Sequence, residues 1–254
     1  MRAAVPRIHF VASASPPAQA ALAALVARYG QVPRADASVI VALGGDGLML
    51  QTLHDGMGLP VYGMNCGTIG FLMNDYAEHG LPDRVAAAEE ALINPLAMRA
   101  ETADGRQHEA LAINDVSVLR AGPQAAKLRI SVNGEERLGE LMCDGAIVCT
   151  PAGSTAYNYS AHGPILPIGS DVLALTAVAA FRPRRWRGAI LPKSATVRFD
   201  VLEPDKRPVM ADADGRSVRP VLWVEIRSEP AVTHRILFEA GHGLGERLMR
   251  EQFV

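Results

Sequence analysis

Cysteine is scarce in this chain. Cys66, Cys143 and Cys149 make an odd count with no Cys-x-x-Cys pair, which argues against a disulfide framework or a cysteine zinc site. The seven histidines do not fall at zinc-ligand spacings either. No apolar run approaches the roughly 18 residues that a membrane-crossing helix needs. Basic excess is missing too: 25 Lys and Arg face 27 Asp and Glu, for a net charge of −2. Broad binding to nucleic acid or to a membrane surface is therefore not expected. Arg2 and Arg7 precede the apolar Ile8–Ala12, but that stretch is short for a signal peptide and contains a histidine. It reads as a first buried strand. These absences leave a reduced, cytoplasmic fold without a resident metal as the expectation, any ion arriving with a nucleotide.

Three familiar signatures are also lacking. No lysine follows the glycine-rich turn to make a Gly-x-x-x-x-Gly-Lys-Ser/Thr loop, and Gly-x-Gly-x-x-Gly does not occur there. Ser154, in Ala152-Gly153-Ser154-Thr155, lacks the Gly-x-Ser-x-Gly elbow of a nucleophilic serine. What is present is Gly44-Gly45-Asp46-Gly47, directly after the β-branched run Val39–Leu43. Ligands of open α/β sheets bind beyond the carboxyl ends of strands. There, glycine amides and a helix N-terminus suit phosphate oxygens. Asp46 is then a carboxylate beside a phosphate site, or an ordinary helix N-cap.

The chain is long enough for two modest domains or one large one. Up to Asn94 it alternates strand and helix signals: Ile8–Ala12, a helix over 17–29 stopped by Gly30, Val39–Leu43, a helix from Leu48, Pro60–Met64, and a helix over Leu81–Ile93 with Glu89 and Glu90 on its solvated side. That order implies an open, Rossmann-like α/β layer. Short segments then follow at Leu96–Thr102, Glu109–Leu119, Lys127–Val132, Leu141–Cys149, Ala195–Val201, Val221–Arg227 and His234–Phe238, with Asn133-Gly134 as a hairpin turn. They suggest an antiparallel β-sandwich. The expected fold is thus α/β plus all-β. Residues 1–94 form an N-terminal α/β domain and 95–240 a C-terminal β-sandwich, with a helix in 241–254 returning to the first.

The stretch Cys143–Pro167 packs small, hydroxyl and turn-forming residues between apolar runs, which suits a polar ligand held close to the backbone. Asn65-Cys66-Gly67-Thr68-Ile69-Gly70-Phe71-Leu72 again sets glycines at a strand end, and Asn114-Asp115 places two polar residues inside an apolar run. At least one of that pair should face inward and need partners. His162 reads as structural. Phe181–Arg187 is a basic aromatic cluster that suits a subunit interface or a phosphate neighbourhood.

Taken jointly, these motifs resemble the NAD kinase family. They run in family order: Gly44-Gly45-Asp46-Gly47, Asn65-x-Gly67-x-x-Gly70-Phe71-Leu72, Asn114-Asp115, the block from Asp144-Gly145 through Thr150-Pro151-x-Gly153-Ser154-Thr155-Ala156-Tyr157 to Gly163-Pro164, and Asp214-Gly215. Leu48 stands where threonine is common in the family, His162 where glycine is usual, and Asp115 where glutamate is frequent. The resemblance implies ATP-dependent phosphorylation of the adenosine 2′-hydroxyl of NAD to give NADP. Asp46 would be the base or would orient that hydroxyl, and Mg²⁺ would come with ATP. Asn114 and Asp115 would hold the adenosine. Asp144, Ala152, Thr155, Ala156, Tyr157, Asn158, Tyr159 and Ser160 would line the dinucleotide site, with Gly44, Gly45, Gly47, Asn65 and Phe71 completing the substrate contacts. A homodimer or homotetramer is implied, with no nucleic-acid or membrane partner. Two alternatives stand beside it: a lipid or sugar kinase sharing the Gly-Gly-Asp-Gly element, and a catalytically silent NAD-binding sensor. The long block favours a dinucleotide acceptor, and the intact Asp46 speaks against the sensor.

Overall fold

The computed structural model describes residues 5–56, 58–67, 70–184, 186–241 and 245. Residues Asn94–Val232 form one compact unit, and the described residues on either side of them form another.

The first unit is built on a five-stranded sheet of order β1-β2-β3-β17-β4, comprising β1 (Ile8–Ala12), β2 (Val39–Gly44), β3 (Val61–Asn65), β4 (Glu89–Ile93) and β17 (His234–Phe238). β2 lies parallel between β1 and β3 (Ile8 opposite Val39, Ile40 opposite Val61) and all six of its residues are buried. An apolar run without a polar face is what a parallel strand covered on both sides requires. Helices α1 (Pro16–Tyr29), α2 (Asp46–Asp55) and α3 (Leu81–Ala86) complete the unit. Leu25 of α1 and Leu81 and Val85 of α3 join Phe10, Val41 and Tyr62 in one core cluster.

The second unit is a sandwich of two six-stranded antiparallel sheets. One has the order β12-β11-β10-β7-β14-β15, from β7 (Asp115–Arg120), β10 (Gly145–Cys149), β11 (Val172–Val178), β12 (Gly188–Pro192), β14 (Val209–Ala213) and β15 (Arg216–Val218). The other has the order β6-β5-β16-β13-β8-β9, from β5 (Leu96–Thr102), β6 (Gln107–Ala112), β8 (Ala126–Val132), β9 (Glu135–Cys143), β13 (Val197–Val201) and β16 (Val221–Ser228). Alternate residues such as Leu96, Met98 and Ala100 on β5 and Leu128 and Ile130 on β8 meet Val116, Val118 and Val148 of the opposite sheet in the main core. This is the period-two pattern of half-buried strands. β10 is buried on both faces: Ile147 and Cys149 pack outward against Leu166 and Ala174. The Pro151–Leu166 stretch thus covers the outer face of this strand.

Several expectations need correction. The helix over Leu81–Ile93 ends at Ala86, and Glu89–Ile93 is an edge strand antiparallel to β17, Ala91 facing Ile236. Helix propensity of the alanine-rich run yields to a strand partner supplied far downstream, and the exposed Glu89 and Glu90 mark a charged edge. His234–Phe238 pairs with β3 and β4, so it belongs to the first unit's sheet and not to the sandwich of 95–240. The runs Glu109–Leu119 and Leu141–Cys149 are each two strands in different sheets, broken at Ile113–Asn114 and at Asp144. β11, β12, β14 and β15 were not expected, although Val172–Val178 is an almost wholly apolar run of the kind that makes a strand buried on both faces. The helix expected over Leu244–Gln252 lies outside the described residues, apart from Gly245.

Candidate active site

In the first unit, Gly44 closes β2, Gly45 is the N-cap of α2, and Asp46 is the first helical residue. Asp46 does not cap its own helix. Its carboxylate reaches across to the loop after β3, where Oδ2 accepts the Phe71 N–H and Oδ1 the Leu72 N–H, each at 2.8 Å. A carboxylate has about four lone-pair sites, so both oxygens keep capacity for a further proton. The loop that supplies these amides is itself anchored. Buried Asn74 donates to the Gly63 and Leu237 carbonyls, both at 3.0 Å, and its Oδ1 accepts the Glu239 N–H at 2.9 Å. Gly47 is exposed, and the space a side chain would take there is open. The first N–H groups of a helix have no intrahelical acceptor, so the start of α2 suits an anion. Asn65 spends its Oδ1 on the Gly67 N–H at 2.9 Å, so its amide shapes this loop.

In the second unit, Asn114 sits at the corner where the chain passes from β6 to β7. Its backbone is gripped from several sides. The Asp214 carboxylate accepts the amides of Ile113 (2.5 Å), Asn114 (3.2 Å) and Asp115 (3.3 Å). The Asn114 carbonyl accepts the Thr150 N–H at 3.0 Å, while Thr150 Oγ1 donates to the Ile113 carbonyl at 2.7 Å. Gly153 backs directly onto this corner: a Cβ there would come within 2.1 Å of the Asn114 oxygen. Held this way, Asn114 leaves its Oδ1 buried and without a partner among the described residues. Such an acceptor costs about 1–3 kcal/mol unless a donor meets it, which marks it for a ligand N–H or O–H. Next to it, Asp115 is pushed up to about 7, first by burial and then by the charges of Asp214 and Asp212.

The hydroxyl-rich segment divides into a buried and an open half. Ala152 and Ser154 are buried, Thr155 and Ala156 half-buried, and Tyr157, Tyr159 and Ser160 exposed on α4 (Tyr157–Ser160). The Tyr157 phenol is shifted upward by burial and by the charges of Asp115 and Asp144. Asp144 pairs with Arg120 at 2.6 Å. Asn158, expected among the substrate contacts, is fully buried and its amide is spent inside the fold. Nδ2 donates to the Ser154 and Pro164 carbonyls, and Oδ1 accepts the Thr176 hydroxyl at 2.6 Å. It supports the segment from within. Sequence reasoning assigned no role to Thr150 or Asp214. In the sequence Asp214-Gly215 is only one of the motifs of the family resemblance, and nothing in that dipeptide announces contacts with residues 113–115.

Comparison with known proteins bears on the chemistry. The ATP-NAD kinase C-terminal domain family matches residues 113–225. The chain is 70% identical over 250 residues to the NAD kinase of Cereibacter sphaeroides strain ATCC 17029, covering 98% of each chain. It is 57% identical over 251 residues to the NAD kinase of Caulobacter vibrioides, covering 98% of this chain and 96% of that one. Two crystal structures share the fold. Yeast NADH kinase complexed with NADH has a TM-score of 0.85 at 20% identity, covering 99% of this chain and 88% of that one. An NAD kinase from Archaeoglobus fulgidus in complex with ATP has a TM-score of 0.71 at 22% identity, covering 97% of both.

Proposed function

Because the chain belongs to the NAD kinase family, we propose that it transfers the γ-phosphoryl group of ATP to the 2′-hydroxyl of the adenosine ribose of NAD. The hydroxyl oxygen bonds to the γ-phosphorus, the bond to the β–γ bridging oxygen breaks, and NADP and ADP leave. Asp46 orients the hydroxyl and takes its proton. The observation that carries this reading is the Asp46 carboxylate, fixed through both oxygens by Phe71 and Leu72 in a glycine-flanked turn. Phosphoryl transfer depends on positioning and charge neutralisation more than on covalent help from the protein, and a fixed carboxylate beside helix-terminal amides supplies both.

Gly44, Gly45, Gly47 and the first amides of α2 seat the phosphates. Mg²⁺ would arrive with ATP as part of the substrate, and the exposed, uncrowded backbone at Gly47 leaves room for a ligand there. The chemistry it would supply is neutralisation of charge on the phosphates. Asn114 and Asp115 hold the adenosine of NAD, the buried Oδ1 taking a donor from it. Asp144, Ala152, Thr155, Ala156, Tyr157, Tyr159 and Ser160 line the remainder of the dinucleotide. A cytoplasmic homodimer or homotetramer completes the reading; the oligomer is supported by exposed apolar surface at Ile190 on the edge strand β12 and at Phe181, whose N–H bonds the Met142 carbonyl of the edge strand β9.

The test is NADP formation by purified protein from NAD and ATP, with Mg²⁺ and with the ion chelated. Product that requires both ATP and the ion supports the reading. Folded protein that binds NAD and makes no NADP would replace it with the sensor.

A further inference from the structure

Asp214 and Gly215 are the two residues between paired Ala213 and Arg216, and both take left-handed backbone, with φ of 48° and 89°. This is the two-residue hairpin turn that Asp-Gly favours. The chain contains a second turn of the same kind, Asn133-Gly134 between β8 and β9, with φ of 54° and 82°. There the turn side chain accepts one amide, that of Thr196 at 2.9 Å. At Asp214 the carboxylate accepts three consecutive amides from a strand corner about a hundred residues upstream. A turn needs no such grip to form, as Asn133 shows. The residues gripped are Asn114, whose buried Oδ1 has no partner among the described residues, and its neighbours.

We propose that Asp214 is a positioning residue for NAD: its carboxylate fixes the Ile113–Asp115 backbone so that Asn114 and Asp115 meet the adenosine already ordered. The inference rests on the reading that Asn114 and Asp115 hold that group. Ordering these residues before the ligand arrives removes a cost from binding. Asp214 touches no reacting atom, so its loss falls on NAD affinity and not on phosphoryl transfer.

Asp214→Asn isolates the carboxylate, because Asn-Gly is equally suited to the turn while an amide group presents one acceptor oxygen where two now serve. The KM for NAD should rise roughly ten-fold, with kcat and the KM for ATP changed by less than about three-fold. Asp212→Asn controls for charge, since Asp212 also repels the Asp115 carboxylate but accepts Gly215 and Ser217 instead of the corner amides. It should leave the KM for NAD within about two-fold. A KM for NAD unchanged in folded Asp214→Asn, or raised equally by Asp212→Asn, overturns the proposal. A fall in kcat with both KM values disturbed overturns it too, as a loss of general structure. Asn114→Ala separates the two levels of argument: if it also leaves the KM for NAD unchanged, the adenosine reading itself fails. Hydrogen exchange on the unaltered protein tests the point without any variant. The amides of 113–115 should exchange slowly before NAD is added, and protection that appears only with NAD would defeat it.

Discussion

Asp46 and Asp214 both grip main-chain amides, and they do so in opposite senses. At Asp46 two amides hold one carboxylate; at Asp214 one carboxylate holds three amides. In the first region the useful group is the side chain that is held. In the second it is the pair of side chains carried by the held backbone. The difference follows from the scaffold. A parallel strand feeding a helix ends in a glycine turn that projects a residue from a fixed platform. The β6–β7 corner has no such platform, and it is pinned by a residue from elsewhere in the chain.

The sharpest way to break the comparison is Asp46→Asn. Its oxygen can still accept one of the two amides, while the charge and the proton acceptor are lost. We expect kcat to fall roughly 10²–10⁴-fold, the scale of a positioned acid–base group, with the KM for NAD nearly unchanged. The unpaired amide should lower thermal stability, as a lost charged hydrogen bond of about 1.5–3 kcal/mol would. Steady-state kinetics with a melting curve checks both. An unchanged kcat would remove Asp46 from the reaction.

The same contrast explains what was legible in the sequence. Gly44–Gly47 could be read because the strand, the turn and the helix that make the first region are contiguous. The second region is assembled from Asn114, Thr150, Gly153 and Asp214, and only their contacts reveal the grip. Asn114 was visible as a polar residue inside an apolar run, and Asp144 only as a member of the motifs of the family resemblance. What they mark is the change of sheet between β6 and β7 and between β9 and β10. Period-two patterning continues across such a corner, so two strands read as one. Glu89–Ile93 was lost for a related reason: its strand identity comes from β17, and locally it continues an alanine-rich helix. The overall division into an α/β layer and a β-sandwich survived because it rests on many segments at once.

Asn114→Ala tests the second region from the side of the ligand. Its Oδ1 has no partner among the described residues, so removing it should leave the melting temperature unchanged or slightly higher. The bond to NAD is lost, and with it about 0.5–1.5 kcal/mol, a rise of roughly 2- to 12-fold in the KM for NAD. Opposite signs for stability and affinity are the signature of a group held ready for a ligand. A melting temperature that falls together with affinity would make Asn114 a structural residue.

The smallest effect sharpens the comparison within the left-handed residues. His162 has φ of 61° and Asp214 φ of 48°. Exposed His162 makes a backbone bond, its N–H to the Tyr159 carbonyl, whereas Asp214 also grips three amides through its side chain. Left-handed backbone costs a side-chain-bearing residue about 1–2 kcal/mol, and glycine adopts it freely at an entropic cost of roughly 0.5–1 kcal/mol in the unfolded chain. His162→Gly should therefore stabilise the protein by up to about 1 kcal/mol, seen as a melting temperature raised by up to about 2–4 °C. The same exchange at Asp214 relieves the same strain but strips three acceptors from the corner, so its sign should invert. If both glycine variants move the melting temperature in one direction, the hydrogen bonds of Asp214 contribute nothing beyond the turn, and the asymmetry between the two regions disappears.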